Sequence, residues 1–354
     1  MAKNILDRLN EGEVIIGDGG YTHELEQRGY VTSGLYTPEV VVEHPSAVKE
    51  LHKEFALSGA DVLQAFVFYG NDDKLNNGRN ESNLLNGEEI NNAGCQLVSK
   101  VAKDHGCFVA LPLVTTEAYS QKKGKELVQK EFLSQINIFK NYEVDLLISE
   151  FMSSVEEAEW AIEVMKTLNK PIASTLCIDQ QGDQNGISLQ ECALRLAKAG
   201  ADIIGVNCRY EPSVAVESIR IMKEACEKES LNVHYMTQPC GYRTADAPTL
   251  GMTNVPEAPL AMESRQISRW EAQKFAREAY EAGVRYIGGC CGFKAYHIRA
   301  MAEELSDITK KLPQNSRSKN AESLKHHRLT EFQKRANKDY WYNLAPKDGR
   351  KAAA

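Results

Sequence analysis

Three of the nine cysteines in this chain close apolar runs, and they are the residues best suited to chemistry. Cys208 ends GVNC, and Cys290 and Cys291 stand side by side in VRYIGGCCGF. A disulfide between chain neighbours would need a strained ring, because bridged cysteines normally hold their Cα atoms more than about 4.4 Å apart. Metal ligation is the better use for the pair. Zn²⁺ is tetrahedral, so three thiolates with one open position form a site of the catalytic kind. A thiol bound there loses its proton and becomes a held nucleophile. Three anionic sulfurs also leave the metal a poor Lewis acid for water, which favours alkyl transfer to a substrate thiol over hydrolysis. The plainer alternative is one core cysteine and two small residues at a tight turn. The glycines around the pair let a backbone come close to a metal and favour the zinc reading.

Cys208 lies far from the pair in sequence, so only a fold that brings strand ends together can build the site. Eight short apolar segments supply such ends: VIIGDGG at 14, DVLQAFVFY at 61, CFVALPLV at 107, VDLLISEF at 144, KPIASTLCI at 170, ADIIGVNC at 201, NVHYMTQP at 232 and VRYIGGCC at 284. Each reads as a buried strand. Segments such as SAVKELHKEFALSGA and LQECALRLAKAGA lie between them, with apolar residues three and four apart as in helices. Gly59, Gly200 and Gly283 each fall just past such a segment and just before a strand, as helix stops do. Eight strands alternating with helices predict a (β/α)8 TIM barrel over residues 1–312. A doubly wound sheet is the weaker alternative, because GDGG after the first strand is not GxGxxG. In such a barrel chemistry sits at the C-terminal strand ends. These are Asp18, Gly19 and Gly20; Phe68 and Tyr69; Glu150 and Phe151; Cys208; and Cys290 with Cys291.

The 354 residues carry a net charge of −7, 26% charged residues and 42% hydrophobic residues, as in an ordinary globular protein. That charge argues against nucleic acid as a partner and for a small-molecule substrate. The N-terminus lacks an apolar signal region and no stretch is apolar enough to span a bilayer, so a cytoplasmic enzyme with reduced thiols and no membrane partner is expected. Residues 313–350 are polar and basic, yet cluster Tyr340, Trp341, Tyr342 and Leu344 near their end. They read as a C-terminal oligomerisation arm, docking on a neighbouring subunit or packing back on its own barrel, and imply a homo-oligomer, dimer or tetramer. The final KAAA, 351–354, reads as a cloning remnant.

GDGG, TPE, VEHPSAV, LHKEF, FYGNDDKL, GVNC, GVRYIGGCCGF and YHIRAMAEEL together resemble the homocysteine S-methyltransferase family, most closely its betaine-using branch. The likeness runs from about residue 5 to 345 and includes the late KDYWYNL. It implies zinc-dependent transfer of a methyl group from glycine betaine to homocysteine, giving methionine and dimethylglycine. It also implies Cys208, Cys290 and Cys291 as zinc ligands, with homocysteine sulfur at the open position and Tyr69 there when substrate is absent. Asp18, Gly19 and Glu150 match the homocysteine-binding residues. That agrees with the need of an α-amino group for anions and of an α-carboxylate for backbone N–H groups. A quaternary ammonium head needs ring faces, for which Tyr21, Tyr36, Phe68, Tyr69 and Phe151 are the candidates.

Two positions depart from the family pattern. Tyr36 stands where Trp is usual before TPE, and Phe151 stands where Tyr is usual after the strand-4 glutamate, which removes a hydroxyl from the donor pocket. Dimethylsulfoniopropionate or S-methylmethionine, both sulfonium donors, are therefore alternative substrates. The expected reaction is in-line displacement by the thiolate in a dry pocket. A scaffold barrel with structural zinc would need a fourth protein ligand, and a cobalamin-dependent module would need a cobalamin domain; the sequence offers neither.

Overall fold

The computed structural model describes residues 3–31, 38–77, 80, 84–247 and 249–313. Tyr36 and the arm beyond Pro313, with Tyr340, Trp341, Tyr342 and Leu344, lie outside the described residues. The eight expected strands all form: β1 (Ile15–Ile16), β2 (Val62–Gln64), β3 (Phe108–Val114), β4 (Leu146–Met152), β5 (Ile172–Leu176), β6 (Ile203–Cys208), β7 (His234–Pro239) and β8 (Tyr286–Ile287). They pair in parallel in the order β1-β8-β7-β6-β5-β4-β3-β2. β1 and β2 meet where Asp61 N–H donates to the Ile16 carbonyl at 2.7 Å and Ile16 N–H donates to the Asp61 carboxylate at 3.0 Å. The chain is therefore a (β/α)8 barrel. None of the described helices is long and apolar enough to cross a membrane.

One long helix follows each strand: Pro45–Leu57, Gly87–His105, Lys125–Phe139, Val155–Met165, Leu189–Ala199, Pro212–Lys228, Arg269–Glu281 and Ala295–Glu304. Gly59, Gly200 and Gly283 have φ of +103°, +99° and +95°, the left-handed turn that ends a helix and releases the chain into the next strand.

Residues two apart on a strand share a face, so each strand sends one set of side chains into the barrel. The floor of the interior is apolar. Ile15, Val62, Ala110, Leu146, Ile148, Ala173, Ile203, Met236 and Tyr286 pack there with Ile5 and Leu9 of the N-terminal helix Ile5–Asn10, which plugs the barrel. One or two steps further along the strands the interior turns polar, with Gln64, Glu150, Thr175, Asn207 and Gln238. At the floor, Asp61, Asp145 and Asp202 repeat one device. Each stands just before an even-numbered strand and brackets a residue of the preceding strand with its backbone N–H and carboxylate, on Ile16, Val109 and Ile172.

β2 is shorter than its apolar run suggests. After Ala65 N–H donates to the Ala110 carbonyl the chain turns, with Val67 N–H on Ala65 and Gly70 N–H on Val67, and Asn91 caps the turn through Gly70. Phe68 and Tyr69 thus stand on the β2 loop at the barrel mouth rather than within a strand.

Candidate metal and substrate site

The cysteine pair sits where three loops are sewn together at the mouth. Gly289 N–H donates to the Asp18 carbonyl at 2.9 Å, Cys290 N–H to Pro239 at 2.9 Å, and Gly241 N–H to Cys291 at 2.7 Å. The fit leaves no room for side chains on the neighbouring loops: a Cβ on Gly20 would stand 2.6 Å from the Cys290 carbonyl oxygen, and one on Gly241 would stand 2.5 Å from the Gly292 carbonyl. So clamped, Cys290 and Cys291 turn toward Cys208 of β6, and the three Sγ atoms lie within 4.8 Å of one another. The sequence expectation for these three residues is what the fold brings together.

Electrostatics makes this a site that wants a cation. Cys208 is held well below the usual thiol range by hydrogen bonds from Cys290 and Cys291, with the Arg209 N–H adding to them. The same bonds, together with repulsion from the Cys208 charge and burial, push Cys290 and Cys291 up. A divalent ion would let all three ionise. Tetrahedral Zn²⁺ with Zn–S of about 2.3 Å sets its sulfurs about 3.8 Å apart, inside the 4.8 Å within which the three sulfurs lie.

Backbone strain gathers at the same end. Tyr69, Phe151, Cys208 and Arg209 have φ of +60°, +56°, +55° and +48°: Tyr69 lies on the loop after β2, Phe151 near the end of β4, and Cys208 and Arg209 at and just past the end of β6. Left-handed backbone at non-glycine residues costs about 1–3 kcal/mol each and persists where surroundings enforce it. The Asn207 side chain is one such constraint, accepting from Phe151 N–H and from the Thr175 hydroxyl, both at 3.0 Å. The bent strand ends cluster aromatic rings: Phe68 lies 4.4 Å from Tyr69 and 5.4 Å, edge to face, from Phe151, measured between centroids. Lys74 stands 5.1 Å from the Tyr69 ring centre and pairs with Glu117 at 2.9 Å.

Tyr21 is placed differently from the other donor-pocket candidates. Its ring packs against His52, Phe55 and Phe66, and its hydroxyl donates to the Asp18 carboxylate at 2.7 Å. His52 Nδ1 lies 2.7 Å from the same hydroxyl, which makes His52 the donor to Tyr21. Burial holds His52 neutral, its pKa lowered to about 3. Asp18 Oδ2 also accepts the Gln64 N–H at 2.8 Å, while the Gln64 side chain donates to Glu150 at 2.7 Å. Gln64 therefore bridges the two carboxylates. Burial raises Asp18 to about 7 against the help of Gln64 and Tyr21, and raises Glu150 to about 8, with Cys208 and Asp18 adding repulsion. Two buried carboxylates short of positive charge would be favoured in their ionised form by a cation placed beside them.

Gln64, Asn207 and Tyr21's hydroxyl contact were not singled out from sequence. Their signal was present as polar residues inside apolar strand runs, DVLQAF and IIGVNC. Gln64 Oε1, Asn207 Nδ2, Thr237 Oγ1, Gln238 Oε1 and the Tyr286 hydroxyl are buried with no hydrogen-bond partner among the described residues, so the polar interior of the mouth is not self-satisfied. His23, held by the Tyr242 hydroxyl at 2.9 Å, was also missed.

Comparison with known proteins agrees with this geometry. The family model described as homocysteine S-methyltransferase matches residues 15–305. The chain is 49% identical over 350 residues to betaine–homocysteine S-methyltransferase 1 of Danio rerio, covering 98% of this chain and 87% of that protein. It is 45% identical over 350 residues to S-methylmethionine–homocysteine S-methyltransferase BHMT2 of Pongo abelii, covering 98% and 94%. Among solved structures, the metallated form of the homocysteine methyltransferase MmuM from Escherichia coli shares the fold, with a TM-score of 0.64 and 16% identity over 83% of this chain and 97% of that one. The chain belongs to the homocysteine S-methyltransferase family.

Proposed function

We propose that this enzyme transfers a methyl group from glycine betaine to homocysteine, giving methionine and dimethylglycine. The observation that carries the reading is the three-cysteine cluster, at the same barrel mouth as two buried carboxylates and a group of aromatic rings. Full-length similarity to betaine–homocysteine S-methyltransferases supports it.

Cys208, Cys290 and Cys291 would hold zinc, which when bound keeps a substrate thiol deprotonated at neutral pH. Tyr69, on its strained loop beside the mouth, would fill the remaining position in the absence of substrate. Glu150 and Asp18 hold the homocysteine ammonium, which restores the charge that burial disfavours in both. Gln64 fixes the two carboxylates relative to each other, and the Gly19 turn offers backbone N–H to the substrate carboxylate. Phe68, Tyr69 and Phe151 offer ring faces to the cationic head of the donor; Tyr36, outside the described residues, keeps the donor-binding role expected from sequence. Tyr21 serves the acceptor side instead, by orienting Asp18.

The homocysteine thiolate attacks one methyl carbon. A sulfur–carbon bond forms as a nitrogen–carbon bond breaks, and the electron pair leaves with nitrogen as a neutral amine. Opposite charges cancel along this path, so a water-poor aromatic pocket speeds it and no general acid is needed at the methyl group. The similarity to an S-methylmethionine-dependent relative makes a sulfonium donor the second reading. Methionine formation measured side by side with glycine betaine, dimethylsulfoniopropionate and S-methylmethionine tests the proposal. Glycine betaine should give the highest kcat/KM, and turnover with S-methylmethionine alone would overturn it. The same reading takes residues 313–350 as an assembly arm, which a monomeric mass in solution would contradict.

A further inference from the structure

Arg209 stands immediately after Cys208, and its backbone is held rigidly. Its φ is +48°, and its carbonyl accepts from Met252 N–H at 2.7 Å and from the Cys240 thiol at 3.4 Å. The guanidinium carbon lies 5.2 Å from the centre of the Phe151 ring, the ring that meets Phe68 edge to face. Its Nε is buried and has no hydrogen-bond partner among the described residues. Lys74, a cation on the Tyr69 ring, is paired with Glu117. A buried guanidinium donor left without an acceptor is costly, and at the edge of a substrate site it marks where an anionic ligand group would go.

We propose that Arg209 binds the carboxylate of the methyl donor and makes the chain selective for carboxylate-bearing onium compounds. The inference rests on the proposed function and narrows its donor. Arginine's planar fork matches a carboxylate with two parallel hydrogen bonds. A guanidinium lying over Phe151 also repels a second cation from that face. The onium head is thereby directed to Phe68 and Tyr69 while the acid arm reaches Arg209. Asp18 and Glu150, joined through Gln64, lie on the acceptor side and repel that arm. Donor orientation thus follows from one cation on the Phe151 ring and two anions joined through Gln64.

The test is the ratio of kcat/KM for dimethylsulfoniopropionate to that for trimethylsulfonium, which shares the reactive head and lacks the acid. It is measured with the zinc-loaded full chain, native and as Arg209→Gln and Arg209→Lys. A charge-assisted hydrogen bond of ordinary strength predicts that Arg209→Gln lowers the ratio by about tenfold or more, through the KM of the acid-bearing donor, and that Arg209→Lys recovers part of it. An equal loss with both donors, as from general disruption, would overturn the inference. So would an unchanged ratio, or a rise confined to the homocysteine KM, which would assign the guanidinium to the acceptor. Metal content and the urea midpoint are followed in parallel; if Arg209→Gln does not fold, Arg209→Lys and Arg209→His carry the same comparison. A native chain that methylates homocysteine from none of the donors overturns the proposed function and this inference together, whereas activity with an unchanged ratio overturns the inference alone.

Discussion

The floor and the mouth of this barrel are made by the same strands, in several cases by residues two apart, and they obey opposite rules. At the floor Val62, Ile148, Ala173 and Met236 pack with the plug residues Ile5 and Leu9, and Asp61, Asp145 and Asp202 find partners in adjacent strands. Two residues on, Gln64, Glu150, Thr175 and Gln238 turn the same interior polar, several side chains lack partners among the described residues, and the backbone beyond them is strained. The floor supplies the stability that the mouth gives up. Burial there offsets carboxylates raised to about 7 and about 8 and four left-handed residues, and those disfavoured groups are the ones a zwitterionic substrate and a cation would relieve.

The largest separation should come from Cys291→Ala. Losing one of three ligands should abolish stoichiometric metal binding and lower methyl transfer by at least about 1000-fold, since each 1.4 kcal/mol of lost stabilisation is tenfold in rate. The denaturation midpoint of the metal-free protein should barely move. Metal analysis, turnover and urea unfolding on one preparation check this, and retained activity without metal would break the contrast between the two ends.

Ile148→Ala attacks the floor. The side chain is fully buried among Leu146, Ala173 and the plug, so its truncation should cost about 2–5 kcal/mol of stability. Homocysteine KM should stay within about twofold at temperatures where the variant is folded, well under the 1.4 kcal/mol that makes a tenfold change. A selective loss of substrate affinity would mean that the two layers are not separable.

A smaller effect sharpens the boundary itself. Tyr21→Phe keeps the ring among His52, Phe55 and Phe66 but leaves the His52 Nδ1 donor and one side of Asp18 unpaired. Unsatisfied buried groups of this kind cost about 1–3 kcal/mol. Homocysteine KM should rise about tenfold, for the same energy, with the KM of the methyl donor unchanged. The reverse pattern would return Tyr21 to the donor pocket.

The fold was legible because a strand buried on both faces reads as a continuous apolar run, and because a glycine stop at 59, 200 or 283 needs no tertiary information to be recognised. The cysteine cluster followed from that barrel, since its mouth must gather the ends of β6 and β8. What was not legible depends on direction. An aromatic residue near a strand end can turn inward or outward, and Tyr21 turns to the helix layer where its hydroxyl still reaches Asp18. The run AFVF looks like strand but is bent into a loop by turn hydrogen bonds and by Asn91, a residue far along the chain. Gln64 joins two carboxylates from different strands, and Arg209, just past β6, lies on the Phe151 ring of β4; neither pairing has a sequence signature.

The most direct measurement of the central claim is X-ray absorption at the zinc edge of the loaded protein, before and after saturation with homocysteine. An open three-cysteine site predicts three sulfur ligands completed by a lighter atom in the free protein, and four sulfurs once homocysteine is bound. Four protein ligands from the start, unchanged by homocysteine, would show a closed structural metal and contradict the account.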